Sequence, residues 1–115
     1  MNKSKNVRAQ AAQCLLAVMD KGQSLSDVLP KAQSVLPDKE GPLLQEMCFG
    51  AIRFFPKYDA ITNQLLSKKL KGKQRVFHHL IILGLYQLDK MRIPEHAAVA
   101  ETVQAAVSLK AQGLK

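Results

Sequence analysis

Apolar residues recur at spacings of three and four through most of this chain, and no stretch sustains the strict alternation of a half-buried strand. Val7, Ala11, Cys14, Leu15 and Val18 form one such stripe and predict a helix from about Asn6 to Asp20, closed by Lys21-Gly22. Ser24, with Asp27 three places on, predicts a capping-box start for a second helix that carries Leu25, Val28, Leu29, Ala32, Val35 and Leu36. Pro30 falls inside that run. It lacks an N–H and crowds the preceding turn, so it predicts a kink or a split into two short pieces. Pro37-Asp38 restarts the chain. Leu43, Leu44, Met47, Cys48, Ala51, Ile52 and Phe55 make a third helix that Pro56 interrupts, and Tyr58, Ile61, Leu65 and Leu66 carry a fourth to near Ser67.

A basic connector follows, Lys68-Lys69-Leu70-Lys71-Gly72-Lys73, and then a fifth helix from Gln74 to Asp89. Its segment Leu80-Ile81-Ile82-Leu83-Gly84-Leu85-Tyr86 is apolar on almost every face, which predicts a central helix covered on all sides. Gly84 costs about 1 kcal/mol there relative to Ala, so it marks an expected close approach of another helix backbone. Pro94-Glu95 opens a sixth helix, with Val99, Val103, Ala106 and Val107 as its expected buried face and Glu101, Gln104 and Ser108 as its wet one. The expected architecture is all-α, a bundle of five to six helices in a single domain over residues 1–115.

Composition sharpens the picture in two ways. Hydrophobic residues make up 47% of the chain, enough for a real core, and no apolar run approaches the ~20 residues of a membrane span. The start, Met1-Asn2-Lys3-Ser4-Lys5, has no apolar segment behind it and does not read as a secretory signal, and the two cysteines read as plain buried thiols; a cytoplasmic protein is expected. Charge is more informative. Residues 1–19 contain Lys3, Lys5 and Arg8 and no acid, and residues 60–88 contain Lys68, Lys69, Lys71, Lys73 and Arg75 and no acid. These eight cations account for the whole net charge of +8, and the rest of the chain is neutral. Two acid-free basic segments are the footprint of a phosphate-binding surface.

Other chemistries find little support. His78 and His79 are adjacent on a helix, point about 100° apart and cannot chelate one ion together, and His96 is on another element; one packed and one exposed histidine is the expectation, with no metal site. Cys14 and Cys48 lie in apolar stripes without a neighbouring base, and neither a Gly-rich phosphate loop nor a nucleophile elbow occurs. No catalytic residue is assigned. With few aromatic residues, recognition of RNA shape and backbone is expected rather than base stacking.

Residues 72–103 carry a more specific pattern: Gly72-Lys73-Gln74-Arg75, His79-Leu80-Ile81, Gly84-Leu85-Tyr86-Gln87-Leu88, Arg92-Ile93-Pro94-Glu95-His96-Ala97-Ala98 and Ala100-Glu101-Thr102-Val103. It resembles the NusB family of helical RNA-binding domains. More narrowly, it is similar to the N-terminal domain of the Sun/Fmu family of bacterial 16S rRNA cytosine-5 methyltransferases. Arg8 with Ala11-Ala12-Gln13, Gly22-Gln23-Ser24-Leu25-Ser26, and Leu44-Gln45-Glu46-Met47-Cys48-Phe49-Gly50 with Arg53 agree with it. The resemblance implies a NusB-like fold and a role in holding small-subunit rRNA for a separate methyltransferase domain that uses S-adenosylmethionine. That family's catalytic cysteines sit in Pro-Cys and Thr-Cys motifs. Here Cys14 follows Gln13 and Cys48 follows Met47, so neither matches, and no cofactor is expected on these 115 residues.

Family members also continue past Gly113-Leu114-Lys115 into a further helix, which implies a fragment whose last family helix is missing and whose uncovered apolar surface promotes self-association. The expected partners are therefore small-subunit rRNA, the missing methyltransferase domain and a second copy of the chain, with no membrane. The expected RNA contacts are Lys3, Lys5, Arg8, Arg53, Lys68, Lys69, Lys71, Lys73 and Arg75. Two alternatives stand beside this reading: a free-standing NusB-type transcription antitermination factor, and a protein-docking module without RNA contact whose basic segments face an acidic partner.

Overall fold

The computed structural model describes residues 6–111. Lys3, Lys5 and the closing Gly113-Leu114-Lys115 lie outside the described residues. Among the described residues there are six α-helices and no strand: α1 (Val7–Leu15), α2 (Leu25–Ser34), α3 (Gly41–Arg53), α4 (Phe55–Leu65), α5 (Arg75–Asp89) and α6 (Glu95–Ala111).

The start of α1 follows from Asn6. With its backbone extended, its side-chain Oδ1 accepts the free N–H groups of Arg8 and Ala9, at 2.9 and 3.0 Å. The expected stripe is buried except for Val18, and Ala9, Ala12 and Gln10 are buried as well. Small residues let neighbours approach from several sides, and α1 packs against α2, α3, α5 and α6. It, rather than α5, is the most enclosed helix. Leu88 of α5 is exposed, and Ile81, Gly84 and Leu85 are half-buried along a shallow apolar groove shared with Ala98, Val99, Thr102 and Val103 of α6. The last turn of α1 widens into a π-turn over Leu16–Asp20, which carries Asp20 towards α5.

Several local expectations change. Pro30 does not split α2: both Pro30 and Ser26, whose carbonyl loses its partner, face solvent, while Leu29 and Ala32 hold the opposite face on the core. Ser24 starts α2 but forms no capping box, because its hydroxyl bonds the Ser26 hydroxyl at 2.7 Å. Pro56 does act as a break, with Phe54 between α3 and α4 out of helical conformation and Pro56 in the first turn of α4.

The close approach assigned to Gly84 is an ordinary contact, 3.5 Å from an added Cβ to Thr102 Oγ1. Gly50 is the obligate one, since a Cβ there would land in the Tyr86 ring. In α6 the expected face is rotated. Ala98, Ala105 and Leu109 are buried, whereas Val99, Val103 and Val107 are more than half exposed. This helix has Ala or Val on every side, so spacing alone does not choose a face. The alanines win because they bring the helix closer to α1 and α5.

Candidate nucleic-acid interface

Lys68, Lys69, Lys71 and Lys73 occupy the segment between the end of α4 and the start of α5, and all four are exposed. Half-buried Leu66 and Leu70 anchor this connector, and a 3-10 turn over Gly72–Gln74, with Gly72 at φ 59°, feeds it into α5. None of the four ammonium groups pairs with a carboxylate among the described residues. They are a concentrated, uncompensated charge on an anchored loop, the arrangement that draws a phosphate backbone.

Arg75 is half-buried at the first position of α5 and is partly spent. Its Nε donates to Asp20 Oδ2 at 2.8 Å, and the same carboxylate oxygen lies 3.3 Å from His79 Nε2. Burial alone would raise the Asp20 carboxyl, but its hydrogen bond with Arg75 and the close His79 ring outweigh that and hold it below the usual range. The pairing ties the connector's exit to the π-turn, across a cleft lined by Gln13, Ala17, Asp20, Lys21, Lys73 and Arg75.

Arg8 is placed elsewhere. Its Nε donates to Gln87 Oε1 at 2.6 Å, its Nη1 lies 3.6 Å from Glu101 Oε1, and its side chain is 11% exposed. Gln87 is twelve residues beyond Arg75 along α5, about 18 Å at the helical rise. Arg8 therefore joins α1, α5 and α6, and the structure does not bring it to the connector. Arg53 is exposed at the end of α3, 5.6 Å from the Phe54 ring centroid, at the opposite end of α4 from the lysines.

Both adjacent histidines are buried, a correction to one packed and one exposed. His78 Nε2 lies 2.7 Å from Asp59 Oδ1, and the His79 ring stacks on Phe55 with centroids 5.9 Å apart. Among the described residues no group of three His, Cys, Asp or Glu is placed to hold a metal ion. Cys14 and Cys48 are buried and free, and the Cys48 thiol is pushed up by its hydrogen bond with Cys14 and by burial, so it is no nucleophile.

Sequence reasoning missed two cations near Arg53. Lys90 Nζ is 4.6 Å from the Phe54 centroid, and Lys57 Nζ lies over the adjoining Tyr58 ring and meets Asp89 Oδ2 at 3.0 Å. Their local stretches are charge-balanced by Asp59 and Asp89, so no basic run announces them.

The described residues form no helix long and apolar enough to cross a membrane. The NusB family profile matches residues 5–115. Three curated relatives carry the name ribosomal RNA small subunit methyltransferase B. The chain is 56% identical over 110 residues to the one from Vibrio vulnificus (strain YJ016), covering 96% of this chain and 26% of the relative. It is 51% identical to that of Photorhabdus laumondii subsp. laumondii and 49% identical to that of Escherichia coli O1:K1 / APEC, each over 115 residues, all of this chain and 27% of the relative. The chain thus spans about a quarter of the length of these relatives. With the family match over nearly its whole length and an all-helical fold to agree, the chain belongs to the NusB family.

Proposed function

We propose that this domain binds small-subunit rRNA and positions it for methylation by a separate S-adenosylmethionine-dependent cytosine-5 methyltransferase domain in a longer cytoplasmic protein. The observation that carries this reading is the connector: four exposed lysines without acidic partners among the described residues, anchored at both ends, in a NusB-family chain whose relatives are named as rRNA methyltransferases. Lys68, Lys69, Lys71 and Lys73 take backbone phosphates. Arg75 contributes what its pairing with Asp20 leaves free, and Arg8 serves mainly to fix α1 on α5. Lys3 and Lys5, outside the described residues, are candidate contacts by their charge in the sequence. The cofactor and the catalytic cysteines belong to the separate domain.

The coverage of about a quarter of each relative favours this reading over a free-standing antitermination factor. The test is the salt dependence of RNA affinity in Lys71→Ala and Lys73→Ala variants. Each should weaken binding modestly and lower the salt slope by about one. Unchanged affinity and slope in both would reduce the connector to a linker.

A further inference from the structure

The chain folds a second set of cations onto one ring, from stretches that are neutral in sequence. Phe54 lies at the junction of α3 and α4, with Lys90 Nζ 4.6 Å and Arg53 Cζ 5.6 Å from its centroid. Lys57, 55% exposed at its side chain, lies over the adjoining Tyr58 ring, 5.8 Å from its centroid, and contacts Asp89, which also accepts the Tyr58 hydroxyl at 2.8 Å. At this corner Asp89 pairs with Lys57, whereas Arg53 and Lys90 have no carboxylate partner among the described residues, and exposed Arg92 follows two residues beyond Lys90. Cation–π contact with the half-buried ring holds the long side chains of Arg53 and Lys90 in place at low entropy cost.

α4 connects this corner to the connector. Lys57 is in its first turn, and Lys68 lies three residues past its end, with about 16 Å of helix between the two ends. The exposed positions between them are Ala60, Asn63, Gln64, Leu65 and Ser67, none of them acidic. Asp59, the one acid on α4, is half-buried and turned to His78. The surface is therefore positive at both ends and neutral, with amide hydrogen-bond donors, in the middle.

We propose that the outer surface of α4 is an RNA track: one phosphodiester backbone runs from the connector lysines to the corner of Arg53, Lys57 and Lys90, with Asn63 and Gln64 donating to it between. This rests on the RNA-binding reading above. It makes the binding surface roughly twice as long as the connector and leaves Phe54 as a positioning residue that touches no RNA.

The test uses the 115-residue chain and a small-subunit rRNA hairpin, titrated over a salt series, with Arg53→Gln/Lys90→Gln compared with Lys71→Ala/Lys73→Ala. The corner pair should lower the salt slope by about two, in addition to the loss from the connector pair, and Lys90→Arg should keep the wild-type slope. Equal urea midpoints for the variants exclude a folding effect. A corner pair with unchanged slope and affinity, beside a connector pair that loses both, overturns the track and leaves the RNA-binding reading standing. Wild-type chain without salt-dependent binding overturns both.

Discussion

The guanidinium Nε of Arg8 donates to the side-chain oxygen of fully buried Gln87 at 2.6 Å, tying the first turn of α1 to the last turns of α5. Gln87 uses its amide nitrogen on the Leu83 carbonyl, 3.2 Å away, so both ends of this core amide are satisfied. Arg8→Ala leaves the Gln87 oxygen without its partner and should cost about 1–3 kcal/mol. Urea denaturation measures it. A variant as stable as wild type, with weakened RNA binding, would return Arg8 to the RNA surface.

Gly50 and Gly84 should respond in opposite ways to alanine. A methyl group at Gly50 collides with the Tyr86 ring, which is held among Tyr58 and its neighbours, so Gly50→Ala should lower the melting temperature markedly. At Gly84 the methyl meets Thr102 at an ordinary distance, and the helix gains up to about 1 kcal/mol of propensity. Calorimetry on the two variants decides; a stable Gly50→Ala contradicts the packing described.

Stability should fall as pH falls through the range near 6.5. Burial pushes the His79 ring below its ordinary value of 6.5, and the nearby Asp20 offsets this only in part. The unfolded chain therefore binds the proton first, so this stabilisation is complete above about pH 6.5 and is lost as pH drops through the depressed native value. The Asp20 carboxyl, held below 3.8, has the same sign and adds its loss lower down. Urea midpoints between pH 7.5 and 5 should decline in wild type and decline less in His79→Leu. Parallel profiles would remove His79 as the cause.

Much of this fold was legible because local chemistry and packing agree. Asn6 caps where the apolar stripe begins, Pro56 breaks where it stands, and the connector is where charge, Gly72 and lost periodicity coincide. What was not legible depends on which neighbour is near. Nothing in the order of residues says that Arg8 meets Gln87 rather than solvent, or that Asp20 and Asp59 would each meet one of two buried histidines. Likewise Arg53 and Lys90 share the Phe54 ring, with Lys57 over the adjoining Tyr58 ring, only because the ends of α3, α4 and α5 meet there.

Val99 and Val103, exposed beside Leu85 and Leu88, line an apolar groove. The isolated chain should therefore self-associate at rising concentration, and Val103→Lys should reverse it. Light scattering reads the mass; a monomer throughout a hundredfold concentration range rules out this face as a contact between copies.

The central claim is that the connector holds rRNA. It is tested most directly by the affinity of the 115-residue chain for a small-subunit rRNA hairpin and for scrambled RNA across a series of salt concentrations. A steep negative salt slope, with tighter binding to the rRNA hairpin, is the expected result. The absence of binding at low salt would contradict the account and move the basic connector to an acidic protein partner.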